Sequence, residues 1–184
     1  MWIVVLGATA LVVGLAIVKG RTHSDGSSPL RGKVPPAVTL QLLDGDKNVA
    51  LVDKKGRVVL LDFWATWCGP CRESMPRVQR VWKDFASRGV DLFAVNTDAN
   101  LGQNRDPAIR EFLMHNGLTL PVALDDSMGT AEAAFGVHSL PTLVVLDRVG
   151  KIAFSHVGSN VDEFALRRTI DAALAQEATA KVVQ

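Results

Sequence analysis

The chain has 184 residues, with 20 Lys+Arg against 19 Asp+Glu, 48% hydrophobic residues and two cysteines. That length suits one domain with a sizeable core, and the hydrophobic share excludes a chain disordered throughout. The near-neutral balance leaves no cationic surplus for a phosphate backbone, which argues against nucleic acid as a partner; two thiols can build neither a disulfide-dense scaffold nor a four-thiolate zinc site.

In chain order, residues 2–18 (WIVVLGATALVVGLAIV) carry no charge, and Lys19, Gly20 and Arg21 follow. As a helix this run spans roughly 25 Å at ~1.5 Å per residue, within the range of a membrane span. Residues 1–19 are therefore read as an uncleaved transmembrane anchor. A signal-peptide core is the competing reading, but no charged stretch precedes the run and no small-x-small cleavage site follows it. A buried core helix would show a polar face, and none is present. Lys19, Arg21, Arg31 and Lys33 all follow the span, which by the positive-inside rule places the rest of the chain in the cytoplasm. Residues 20–33 are polar and rich in Gly and Ser, a flexible linker in which His23 is a solvated bystander.

Residues 34–177 read as one α/β domain, and 178–184 as a fraying tail. Strands over 38–43 and 48–52 flank the turn Asp44-Gly45-Asp46-Lys47, a hairpin. Residues 58–64 form an apolar run broken by Asp62 alone, the pattern of a strand covered on both faces. A helix is predicted over 69–87, with Pro76 expected to kink it and Gly89 just past its end. Residues 90–95 are another buried strand. Asp106-Pro107 opens a helix that stops at Gly117. A short strand over 121–124 precedes a helix to Phe135 capped by Ser127. Strands over 142–147 and 151–156 join through Gly150. Asn160-x-x-Glu163, a capping-box variant, opens a last helix whose Leu166, Ile170, Ala173 and Leu174 face the sheet.

Both cysteines fall in Trp67-Cys68-Gly69-Pro70-Cys71, between a buried strand and a helix start. Spacing of i, i+3 on a helix puts the two sulfurs on one side, at a separation compatible with a disulfide. Cys68 at the helix start faces unpaired N–H groups and the positive end of the macrodipole, which favour the thiolate, the nucleophilic form. Pro70 suits the first helical turn because its missing N–H is unneeded there. Cys71, one turn in, is placed to attack a mixed disulfide that Cys68 forms with a substrate; that division of labour is thiol–disulfide exchange.

The run Phe63-Trp64-Ala65-Thr66-Trp67-Cys68-Gly69-Pro70-Cys71-Arg72-Glu73-Ser74-Met75-Pro76 resembles the active-site segment of the thioredoxin superfamily, specifically its membrane-tethered TlpA/ResA-like branch. Ser139-Leu140-Pro141-Thr142 is similar to the superfamily's proline loop opposite the cysteines, and residues 146–152 to the hairpin that follows it. The likeness runs from about residue 34 to 174 and includes an added helix and strand between Asp98 and Leu124. The resemblance implies a thioredoxin-like fold, a central mixed sheet flanked by helices with an N-terminal hairpin and that helix–strand insertion. It implies no cofactor beyond the Cys68–Cys71 disulfide and no metal. It also implies a cis Leu140–Pro141 bond, which would present the Leu140 backbone for strand-like pairing with a substrate. Trp67, Gly69, Pro70, Leu140 and Pro141 are the expected substrate-binding residues, and Trp64 the expected core residue. The expected activity is reduction of disulfides in oxidised client proteins, during cytochrome c or copper-centre assembly. The domain would then face the periplasm or cell exterior and draw electrons from a membrane thiol–disulfide transporter. The charge bias around the anchor points the other way, and the resemblance is given the greater weight.

Asp62 is the third expected catalytic residue. A carboxylate within such a strand is buried, its pKa raised by desolvation, and its nearness to Cys71 would let it take that thiol's proton. The alternative is a carboxylate at an exposed strand edge. The TlpA/ResA-like branch often has Asn here and a separate Glu, so the chain departs from its pattern. Covalent c-type haem needs His after Cys71, where Arg72 stands. Two other activities compete: soft-metal (copper) carriage by Cys68, Cys71 and His138, and a thiol peroxidase, which would want Thr and Arg partners in a different local pattern. His115 and His156 join no constellation.

Overall fold

The computed structural model describes residues 30–45 and 47–176. The expected anchor and the tail beyond Gln176 lie outside the described residues. Among the described residues no helix is long and apolar enough to cross a membrane.

Seven strands form one mixed sheet in the order β2-β1-β5-β4-β3-β6-β7. They are β1 (Thr39–Leu42), β2 (Asn48–Ala50), β3 (Val58–Trp64), β4 (Val90–Asn96), β5 (Val122–Leu124), β6 (Thr142–Leu146) and β7 (Ile152–Val157). The helices are α1 (Gly69–Phe85), α2 (Arg105–His115), α3 (Thr130–Ala134) and α4 (Glu163–Ala175). β3 is the central element, parallel to β4 and antiparallel to β6, with every residue buried. Alternation divides it between two cores. Val58, Leu60 and Trp64 join Met75, Val78 and Val81 of α1, Ile109 and Phe112 of α2, and Leu166 and Ile170 of α4. Val59, Leu61 and Phe63 meet Ala131, Phe135 and Val137 around α3 on the other face. Asp62, two residues from Leu60 and from Trp64, points to the first face, the face of Cys68 and Cys71.

Boundaries set by long apolar runs fall where the sequence puts them, and those resting on caps do not. The first strand pair is an antiparallel hairpin, but β2 ends at Ala50 and a 3-10 turn takes Leu51–Lys54. α1 passes through Pro76 and ends at Phe85, followed by a 3-10 turn and Gly89 in the left-handed region. α2 starts at Arg105, so Asp106 and Pro107 lie inside its first turn. Ser127 does not cap α3: Asp126 Oδ1 accepts the Met128 and Thr130 N–H groups, and the Asp125 carboxylate accepts those of Ala131 and Glu132. α4 is likewise capped by Asp162, which accepts the Phe164 and Ala165 N–H groups, and not by Asn160.

The segment 30–33 differs from its assignment to the linker. Gly32 N–H donates to the Ile152 carbonyl at 2.8 Å, and Ile152 N–H to the Lys33 carbonyl at 3.0 Å. These bonds seat the segment beside the first residue of β7. Leu30 packs on the second core, and a Cβ at Gly136, which has φ +59°, would lie 3.0 Å from Leu30 Cδ1.

Candidate active site

The first turn of α1 is built from the residues that carry the chemistry. Cys68 is its N-cap, in extended backbone, with Gly69 and Pro70 following in helical conformation. Sγ of Cys68 accepts the Cys71 N–H at 3.2 Å, so a donor that every helix start leaves unpaired is turned onto the sulfur. Cys68 and Cys71 are joined by a disulfide, with Cα atoms 5.3 Å apart. Cys68 is 3% exposed and Cys71 fully buried, in the order expected of a nucleophile and a resolving thiol. Gly69 and Pro70 are exposed.

Around this pair the sequence-predicted residues take distinct places. Trp67 is 70% exposed beside Cys68, a large aromatic held in solvent. Trp64 is fully buried and its ring lies 4.7 Å from that of Phe112, so it belongs to the core as read. The Leu140–Pro141 peptide is cis. Pro141 is buried, its carbonyl accepts the Gly158 N–H at 2.8 Å, and Thr142 Oγ1 donates to the Ser139 carbonyl at 2.7 Å. Because Thr142 pairs with Phe63, the proline loop sits at the same end of the sheet as the turn after Trp64.

Asp62 is 1% exposed at the middle of β3, opposite Ala94 of β4 and Leu143 of β6. It is therefore not at a strand edge. Both neighbours are apolar, and its Oδ2 has no hydrogen-bond partner. Desolvation, unopposed by any cation among the described residues, pushes its carboxyl up to about 7.

Three polar residues at this end of the sheet escape a motif-based reading. Asn96 and Asp98, at the C-terminal end of β4, are buried. Asp98 Oδ2 accepts the Thr66 N–H at 2.9 Å and the Asn96 side-chain amide at 2.8 Å. Arg105 Nε donates to Asn96 Oδ1 at 2.9 Å. The signal available in the sequence is the abrupt polar run Asn96-Thr97-Asp98 after an apolar strand. His138 is exposed on the loop before Ser139, His115 lies 4.0 Å from Glu111, and the His156 ring stacks on Phe154. None of these is joined to the cysteines by a contact that the structure records.

The comparisons with known proteins agree with this geometry. The Redoxin family pattern matches residues 31–174. The chain is 30% identical over 161 residues to the thiol-disulfide oxidoreductase ResA of Bacillus thuringiensis, covering 88% of each. It is 37% identical over 128 residues to the thioredoxin-like protein YneN of Bacillus subtilis, covering 70% of this chain and 72% of that one. Among solved structures it is similar to a candidate thiol:disulfide interchange protein DsbE from Chlorobium tepidum, at 38% identity and a TM-score of 0.67, over 78% of this chain and 97% of that chain. StoA from Bacillus subtilis matches at 27% identity and a TM-score of 0.60, over 74% and 97%.

Proposed function

We propose, for a chain that belongs to the Redoxin family and is a thiol–disulfide oxidoreductase, that it works as a reductant of disulfides in client proteins. In the dithiol form, the Cys68 thiolate attacks one sulfur of the client disulfide and expels the other as a thiolate, giving a mixed disulfide. Cys71 loses its proton to Asp62 and attacks Cys68 Sγ. The client leaves with both sulfurs reduced, and the protein keeps the Cys68–Cys71 disulfide. Two electrons pass to the client, and an external dithiol must restore them.

The observation that carries this reading is the N-cap position of Cys68, with the Cys71 N–H aimed at its sulfur. A helix N-terminus favours negative charge, so it lowers the thiol pKa and makes Cys68 the attacking and the better leaving sulfur. Trp67, Gly69, Pro70 and the Leu140–Pro141 backbone are the surface on which a client strand would lie. The direction rests on Gly69-Pro70, the dipeptide of thioredoxin, whose potential is near −270 mV. Titration of Cys68–Cys71 against a glutathione or dithiothreitol buffer is expected to give a value in that neighbourhood. A potential near −120 mV, that of a strong oxidant, would refute the reductant assignment.

The TlpA/ResA-like resemblance supports a client set in cytochrome c or copper-centre assembly, a membrane tether through residues 1–19, and an extracytoplasmic domain. It also supports a membrane thiol–disulfide transporter as the electron source, because soluble cytosolic reductants do not reach that side. Protease added to spheroplasts is expected to digest the domain. Protection until the membrane is broken would place the domain in the cytoplasm and remove the assembly role.

A further inference from the structure

We propose that Arg105, Asn96 and Asp98 form a positioning bridge that holds Trp67 and the start of α2 in the arrangement a client protein recognises, so that the bridge sets affinity for a protein disulfide and not the reactivity of Cys68. The inference deepens the disulfide-exchange reading and rests on it.

The bridge is continuous. Arg105 Nη1 donates to the Asp125 carbonyl at 2.7 Å, Nη2 donates to the Asn96 carbonyl, and Nε donates to Asn96 Oδ1. Asn96 Oδ1 also accepts the Asp98 N–H at 3.1 Å, and the Asn96 amide donates to Asp98 Oδ2. That same oxygen accepts the Thr66 N–H, one residue before Trp67 and two before Cys68. Bonds to charged groups are the stronger class, and Asn96 and Asp98 are out of solvent.

Two features point beyond scaffolding. A guanidinium in the first turn of a helix opposes the macrodipole, so what Arg105 contributes lies in its bonds to Asn96 and Asp125 and not in capping α2. The bridge has an exposed feature at each end. On one side is Trp67, an aromatic 70% exposed on a clamped backbone, the form of a preorganised interface anchor. On the other is α2, whose Ala108, Phe112 and His115 line an open cleft of about 370 Å³ with Arg72, the residue after Cys71. Cys68 itself is held by bonds internal to the turn, from its N–H to the Ala65 carbonyl and from the Cys71 N–H to its sulfur.

The test compares a protein disulfide with a small one. Pre-reduced wild type, Arg105→Met, Asp98→Ala and Arg105→Lys are mixed with excess insulin in single turnover, and separately with 5,5′-dithiobis(2-nitrobenzoate). Reaction of the wild type with both substrates secures the disulfide-exchange reading, so the variants report on the bridge alone. Arg105→Met and Asp98→Ala are expected to raise the half-saturating insulin concentration about tenfold, as the ordered placement of Trp67 and α2 is lost. The maximal rate and the rate with the small disulfide should stay within about twofold. Arg105→Lys, which keeps the charge but not the fork, should fall between them and wild type. Unchanged insulin saturation, or parallel loss with both substrates, overturns the proposal. Should both truncations fail to fold, Arg105→Lys decides alone: about a threefold rise in half-saturation with an unchanged small-disulfide rate supports the bridge, and no rise overturns it.

Discussion

Replacing Cys71 with alanine is expected to arrest the reaction at the mixed disulfide and reduce turnover to background. Cys68 keeps its place at the N-cap and still attacks a client disulfide, but no second thiol remains to release it, because the chain has two cysteines in all. The Cys71→Ala protein expressed in its own cell should run as covalent adducts on a non-reducing gel, and mass spectrometry of those bands identifies the clients. Cys68→Ala should be equally inactive and give no adducts, since the remaining thiol is fully buried one turn into the helix. Adducts with Cys68→Ala and none with Cys71→Ala would reverse the two roles.

Asp62→Asn is expected to change both the pH dependence of reduction and the pH dependence of stability. In the wild type the carboxyl, held near 7 by burial, is a base above that pH and an acid below it. Release of the client should therefore speed up as pH rises through about 7. A positioned general base contributes on the order of 10²-fold or more, so Asp62→Asn should lose about that factor at pH 8 and lose the inflection. Single-turnover rates from pH 5 to 9 measure this, and an unchanged profile would remove the proton-transfer role.

The stability effect follows from the same burial. The native state holds the proton up to about 7, whereas the unfolded chain releases it near the ordinary value of 3.8. The unfolded state binds fewer protons between those values, so the contribution of Asp62 to stability is most favourable below about 4 and declines as pH rises to about 7. At about 1.36 kcal/mol per pH unit, the loss is on the order of 4 kcal/mol. Asn carries no charge, so the variant should be more stable than wild type at pH 8 by a few kcal/mol and lose that advantage near pH 4. Urea midpoints at the two pH values test the sign.

The parts of this protein that could be read before the structure are those whose signal is local. Residues 58–64 are apolar on both faces because β3 lies between β4 and β6 with helices on each side, and the two boundaries fall where the run begins and ends. The burial of Asp62 was legible for the same reason. Cys68, Gly69, Pro70 and Cys71 were legible because a helix start, a proline and an i, i+3 pair all lie within one turn.

Caps were less legible, since several residues near each helix start could accept the same N–H groups. Asp162 wins over Asn160, and Asp125 and Asp126 win over Ser127, through the backbone path of the loop. The bridge from Arg105 to Thr66 was out of reach. Its members are 32 residues apart at the Asp98–Thr66 bond and 20 apart at the Arg105–Asp125 bond, and only the register of the strand ends brings them together.

The seating of Gly32 and Lys33 against Ile152 fixes where residues 30–33 lie relative to the redox site. β7 runs from Ile152 to Val157, and Val157 pairs with Thr142 next to the cis proline. Residues 32 and 33 thus lie at the pole of the sheet remote from the cis proline, with about 17 Å between Ile152 and Val157 along five steps of strand at ~3.3 Å each. Residues 30–33 therefore lie at the base of the domain, at the end of the sheet opposite the redox pole. The surface around Trp67 and the cis proline is thus clear of residues 30–33, which occupy the opposite end of the same sheet.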